Sequence, residues 1–340
     1  MPKILIVAPN WIGDALLAQP LFAHLRKRRP EVSLDVLAPP WTAPVLHRMP
    51  EVDAVIEAPF EHGRLRLAAR WRLGRSLRAR AYDEAIVLPN SFKSALIPFF
   101  ADIPLRAGFV GELRYGLLNL AHKLDAKRLP LMAERYAQLA EKPGAAPARP
   151  LPQVRLRVDA ANLVIALGRL GLSREKPVAA FCPGAEYGPA KRWPARHFAA
   201  LARKLAAEGY AVWLIGSGNE RGIGEEIAAA SEGTATNFCG RTDLASAIDL
   251  LSVAAVVVTN DSGLMHVASG VGCKVVALYG SSSPEHTPPM SSNARMIKTG
   301  IECSPCFKRE CPLGHFKCMN ELLPERVLEE IAAIGENRFS

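Results

Sequence analysis

The sequence predicts an α/β protein of two doubly wound domains that face one another across a cleft. Three observations carry this. Short runs rich in β-branched residues alternate with helix-length segments; the alternation stops once, at the proline- and alanine-rich stretch Pro143–Pro152, and then restarts; and 340 residues match two domains of ~100–200 residues each. Strands that alternate with helices need parallel crossovers, and these wrap a sheet on both faces.

In the first domain, Lys3–Ala8, Ser33–Ala38, Asp53–Glu57 and Glu84–Leu88 read as strands, with helices over Ala15–Arg29 and Leu65–Arg80. Pro143–Pro152 is the linker, so the domains are expected at 1–150 and 151–340. In the second, Val178–Cys182, Tyr210–Ile215, Ala235–Cys239, Ala255–Thr259 and Lys274–Tyr279 read as strands, with helices opening at Pro194, near Gly222, and after Thr242 and Ser262.

With 49% hydrophobic and 22% charged residues the chain can bury sizeable cores, which excludes a disordered or fibrous protein. In the second half the longest uncharged apolar run, Leu250–Val258, is far short of the ~20 residues that span a bilayer. The apolar run Ile4–Ala8 is broken by Pro9, Asn10, Gly13 and Asp14, unlike an export signal, so a cytoplasmic chain is expected. Seven cysteines without an export signal point to reduced thiols. The net charge of +9 is lopsided: residues 1–150 hold 22 Lys and Arg against 14 Asp and Glu, and residues 151–340 hold 20 against 19. A basic first half calls for an anionic partner.

Ligands of doubly wound sheets sit beyond the carboxyl ends of the strands, so chemistry is sought in the loops there. The first loop, Pro9–Asp14, has one glycine and lacks the Gly-x-Gly-x-x-Gly of a dinucleotide site. Asp14 stands at the mouth of a helix, where it serves either as a cap or as a general base for an acceptor hydroxyl. The loop Pro183–Pro194 combines Gly184 and Gly188, which admit close backbone approach, with Lys191 and Arg192, and reads as an anion site or as an irregular surface loop. Asp261, Ser262 and Gly263 turn into a helix whose free amides suit phosphate oxygens, with His266 in its first turn. Glu220, after Gly216 and Gly218, is placed either to accept ribose hydroxyls or to face solvent. Asp-x-Asp is absent, so cations and helix ends, rather than a carboxylate-held metal, must neutralise a diphosphate.

Two further features stand out. Arg64, Arg66, Arg70, Arg72, Arg75, Arg78 and Arg80 fall in seventeen residues without an acid, and at helical spacing Arg64, Trp71, Arg75 and Arg78 share one face opposite Ala69, Leu73 and Leu77. Such a run faces solvent or an anionic surface or substrate. Cys303, Cys306, Cys311 and Cys318, with His315 among them, are either a structural zinc site or free or redox-active thiols.

NWIGD at 10–14, LPNSFKSALIPFF at 88–100, RYGLLN at 114–119, FCPGAEYGPAKRWP at 181–194 and TNDSGLMHVA at 259–268 together resemble glycosyltransferase family 9, the bacterial heptosyltransferases of lipopolysaccharide core assembly. The resemblance runs nearly end to end. It implies two Rossmann-like domains of the GT-B type, and transfer of L-glycero-D-manno-heptose from ADP-heptose onto the first heptose of a heptosyl-Kdo2-lipid A acceptor at the cytoplasmic face of the inner membrane. The alternative within the family is transfer directly onto Kdo2-lipid A. Residue by residue, the resemblance makes Asp14 the catalytic base and Lys191 the diphosphate ligand. Gly184, Ala185, Gly188, Glu220, Leu244, Asp261, Ser262, Gly263 and His266 complete the donor side, Glu220 at ribose and Leu244 at adenine. Asn10, Trp11, Asn90, Ser91 and Lys93 are the acceptor side, and no metal is required for transfer. The missing dinucleotide fingerprint argues against a nicotinamide oxidoreductase, and Trp71 is the only aromatic among the seven arginines, which argues against a nucleic-acid-binding protein.

Overall fold

The structure, a computed structural model, describes residues 1–58 and 64–336. The chain separates into two compact units, Met1–Val154 and Arg155–Ser340, each built on a six-stranded, wholly parallel sheet. In the first unit, β1 (Lys3–Val7), β2 (Ser33–Ala38), β3 (Ala54–Glu57), β4 (Glu84–Val87), β5 (Leu105–Phe109) and β6 (Leu120–His122) lie in the order β3-β2-β1-β4-β5-β6. In the second, β7 (Val178–Cys182), β8 (Ala211–Leu214), β9 (Ala235–Asn237), β10 (Val256–Asn260), β11 (Val275–Leu278) and β12 (Ala294–Ile297) lie in the order β12-β11-β10-β7-β8-β9. Strand order therefore reverses between β1 and β4 in one sheet and between β7 and β10 in the other, the places where a doubly wound sheet opens a crevice.

The central strands are apolar on both faces because helices cover both. All five residues of VAAFC and of VVVTN are buried, as are the last four of KILIV. In the second unit Phe181, Leu214, Val258 and Leu278 of the sheet pack against Phe198 and Leu205 on one helix and Val327 and Ile331 on another. Trp193 is fully buried in that core, and its indole N–H donates to the carbonyl of Leu322 at 2.7 Å, which anchors the end of the loop after β7.

Three strands had no signal in the sequence. β6 and β12 are short edge strands, and β5 carries Arg106 and Gly108 in place of a β-branched run. Gly108 is needed for close packing: a Cβ there would come within 3.1 Å of the Leu118 side chain and of the Val87 carbonyl. The single helix expected over Ala15–Arg29 is two, Ile12–Leu17 and Gln19–Arg28, because Pro20 has no amide to continue the first. Pro143–Pro152 contains neither helix nor strand.

Candidate active site

In the first unit Asp14 occupies the first turn of the helix Ile12–Leu17, directly after β1, and is half-buried. Its charge reaches Tyr136 on the helix Met132–Gln138: burial, and then the negative charge of Asp14, hold that phenol well above its ordinary range. A half-buried, ionised carboxylate at the carboxyl edge of the sheet has the chemistry of a general base.

A cavity of about 60 Å³ opens at the ends of β1, β2 and β4, and its lining includes Asn10, Pro39, Arg70, Ser91, Lys93 and Ser94. The fold thus gathers Asn10, Ser91 and Lys93 around one space, while Trp11 and Asn90 stand exposed on the same loops. The loop after β4 is held from behind by Arg114, which is 1% exposed. Its guanidinium donates to the carbonyl of Pro89 at 2.6 Å, to Ser94 Oγ at 3.3 Å and to the carbonyl of Phe109. Burial lowers its pKa from the usual arginine value. Arg114 lies inside the RYGLLN run, but its function as a clamp was invisible there because its partners are backbone carbonyls 5 to 25 residues away.

The arginine run differs from expectation. The buried face of the helix Leu67–Leu77 is Arg70, Gly74 and Leu77, and Arg70 turns inward to donate to the carbonyls of Leu65 and Lys93. Gly74 lies against the helix Phe92–Phe100, where a Cβ would meet Phe100 Cβ at 2.5 Å. The run is also not uncompensated: Arg78 pairs with Asp102 at 2.7 Å and Arg80 with Asp35 at 3.1 Å. Arg72 and Arg75 remain exposed, and the Arg75 guanidinium lies over the half-exposed ring of Trp71 at 5.4 Å.

In the second unit the loops after four adjacent strands bring the donor-side residues into a row. Leu244 begins the helix Leu244–Leu251 after β9, and Glu220 ends the loop after β8. Gly184 to Lys191 follow β7, and Asp261 to His266 follow β10. Glu220 is buried, and its Oε2 accepts from the Ser217 amide and hydroxyl at 2.7 and 2.5 Å, so it closes a capping box instead of facing solvent. Gly184 leaves room for it, since a Cβ there would meet the Glu220 side chain, from Cγ to Oε1, at 2.6 to 2.8 Å.

Lys191 Nζ contacts Asp261 Oδ2 at 2.5 Å, with side-chain exposures of 17% and 5%. The Lys191 ammonium also lies 5.2 Å from the centre of the Tyr187 ring. The helix Gly263–Gly270 that follows has Ser262 at its start in an extended conformation, without a side-chain cap, so its first amides are left to other acceptors. His266 is 3% exposed. Burial drives its imidazole down to about 4, with Asp261 opposing and Lys191 reinforcing, and it is therefore neutral near pH 7. The described residues of this unit have four buried side-chain polar atoms without a partner in the protein: Arg192 Nε, His266 Nδ1, and the hydroxyls of Ser281 and Ser282. All four belong to loops at the carboxyl edge or to the helix they open. Ser281 and Ser282, after β11, went unnoticed in the sequence because a run of serines resembles any surface turn.

The cysteine segment straps these loops together. The amide of Ala190 donates to the carbonyl of Arg309 at 3.0 Å, Arg309 Nε to the carbonyl of Tyr187 at 2.7 Å, and the Tyr187 hydroxyl to the carbonyl of Phe307 at 2.8 Å. Gly188 admits this contact, since a Cβ would meet the Arg309 carbonyl oxygen at 2.4 Å. Cys303, Cys306, Cys311 and Cys318 are free thiols. Among the described residues no group of three or more His, Cys, Asp or Glu is arranged to hold a metal ion, and none of the helices is long and apolar enough to cross a membrane.

Residues 70–317 match the model of glycosyltransferase family 9 (heptosyltransferase). The chain is 46% identical to lipopolysaccharide heptosyltransferase 2 of Salmonella typhimurium, over 98% of either chain. It matches the structure of Escherichia coli ADP-heptose LPS heptosyltransferase II with a TM-score of 0.89 and 43% identity, covering 99% of this chain and 100% of that one. Identity to lipopolysaccharide heptosyltransferase 1 of Pseudomonas aeruginosa is 24% over 98% of both chains. The two parallel sheets are those of the GT-B heptosyltransferase structure, and the chain belongs to glycosyltransferase family 9, the heptosyltransferases.

Proposed function

We propose that the protein transfers heptose from ADP-L-glycero-D-manno-heptose to the first heptose of heptosyl-Kdo2-lipid A, in one displacement that inverts the anomeric centre and requires no metal. The observation that carries this is the row of residues across four neighbouring strands of the second unit. It offers, in spatial order, an apolar position at Leu244, a carboxylate at Glu220, a cation and helix amides at Lys191 and Ser262, and a carboxylate at Asp261. That is the order of base, ribose, diphosphate and sugar in a nucleotide sugar. The donor belongs to this unit and the acceptor to the basic first unit. The second heptose rather than the first is favoured by 46% identity to a transferase numbered 2 against 24% to one numbered 1.

Asp14 takes the proton of the acceptor hydroxyl as its oxygen attacks the anomeric carbon, and the bond to the ADP oxygen breaks on the opposite side. Negative charge grows on the leaving diphosphate. Lys191 and the free amides at the start of the helix Gly263–Gly270 stabilise it, and neutral His266 adds a hydrogen bond without charge.

Transfer is tested by following ADP release, which should require both ADP-heptose and the heptosylated lipid acceptor. Release that ignores the acceptor contradicts the proposal. EDTA should leave the rate largely unchanged, because Lys191 and helix amides do the neutralising; strict dependence on added Mg²⁺ or Mn²⁺ would contradict this.

The acceptor lipid places the protein against the anionic cytoplasmic face of the inner membrane. Arg72 and Arg75, exposed beside Trp71, each contribute at most ~1 kcal/mol there. Changing both to Gln should weaken binding to anionic vesicles and raise KM for the lipid acceptor, and the difference should shrink at high salt. Equal vesicle binding by parent and variant at low salt would identify a merely solvated face.

A further inference from the structure

The donor contacts proposed above come from the loops after β9, β8, β7 and β10, and stop at Asp261. The next strand in the sheet is β11, and its loop, residues 279–283, continues the row. That loop touches the site directly. A Cβ on Gly280 would lie 3.2 Å from the carbonyl of Ala190, the residue before Lys191, and the amide of Asp261 donates to the carbonyl of Leu278 at 3.2 Å. Its backbone is tied from the other side, with the Ser304 hydroxyl donating to the carbonyl of Gly280 and the Phe307 amide to that of Ser281, both at 2.7 Å.

Within this fixed turn Ser281 and Ser282 are 1% and 7% exposed, and neither hydroxyl has a partner in the protein. Ser283, by contrast, donates to Glu285. A buried hydroxyl without a partner destabilises a fold that alanine would serve better, so its presence points to a ligand that completes it. The diphosphate already has its cation and helix amides one strand away. A hydroxyl donates one hydrogen bond and accepts two, which matches a polyol.

We infer that Ser281 and Ser282 form the subsite for the hydroxyl groups of the donor's sugar and help to select it. This rests on the donor reading of the second unit. The test compares ADP with ADP-heptose as ligands of the parent and of Ser281→Ala, Ser282→Ala and the double variant, by calorimetry and by KM. ADP affinity should stay within about twofold, whereas ADP-heptose should weaken roughly tenfold in the double variant. Threonine at either position, which keeps the hydroxyl, should recover part of the loss. Thermal unfolding should not fall, since the alanines remove partnerless groups. Equal weakening of ADP and ADP-heptose would place the hydroxyls on phosphate and overturn the inference, as would no change in either ligand. A parent protein that binds ADP-heptose no better than an unrelated protein would instead overturn the donor reading, and the subsite with it.

Discussion

Asp14→Asn should lower kcat by ~10²–10⁴-fold while leaving ADP-heptose affinity nearly intact. The amide keeps the shape of the side chain in the first turn of the helix Ile12–Leu17 but has no lone pair basic enough to take the acceptor proton. Because the proposed donor row lies in the other unit, the loss should appear in turnover rather than in donor binding. The variant also removes the negative charge that helps raise the Tyr136 pKa, so that phenol should titrate closer to its ordinary value, although burial, the larger cause, stays. Single-turnover kinetics with saturating ADP-heptose measures the effect. A rate within threefold of the parent would remove Asp14 from the chemistry.

Lys191→Ala should weaken ADP by ~1.5–3 kcal/mol and slow the chemical step as well, since charge grows on the diphosphate as the bond breaks. The structure adds a second consequence. Asp261, 5% exposed, loses its ion-pair partner, and an unpaired buried carboxylate destabilises a fold by ~3–5 kcal/mol. The two effects separate in the double variant Lys191→Ala/Asp261→Asn, which should regain thermal stability without regaining ADP affinity. Arginine at 191 should rescue poorly, because its planar fork does not replace a point charge packed against Tyr187. Unchanged ADP binding by Lys191→Ala in a calorimetric titration would show that this loop does not hold the phosphates.

The parts of the fold legible in the sequence were those where local pattern and tertiary environment agree. KILIV, VAAFC and VVVTN are continuous apolar runs because both faces of a parallel sheet are covered, and each is a strand within a residue or so of its expected bounds. LRAGF and the edge strand ARMI owe their strand state to pairing with neighbours, which no local pattern records. The same division governs the site. Asp14, Lys191, Asp261 and His266 were visible as reactive residue types in loops after strands. What Glu220 does was ambiguous, because a capping box and a ligand contact need the same side chain. The pairing within the arginine run was hidden for a related reason: Asp102 and Asp35, which pair with Arg78 and Arg80, lie 24 and 45 residues away and enter only when the chain has folded. Arg114 and the pair Ser281 and Ser282 were silent, since their significance is burial, and burial of a polar group is not written in its neighbours.

The most direct measurement is the mass of the product formed when the protein is given ADP-heptose with Kdo2-lipid A and, separately, with its singly heptosylated form. The heptosylated acceptor should gain one heptose, with stoichiometric ADP, and the unheptosylated one should remain unchanged. Addition of heptose to Kdo2-lipid A alone, or to neither acceptor, would contradict transfer of the second heptose.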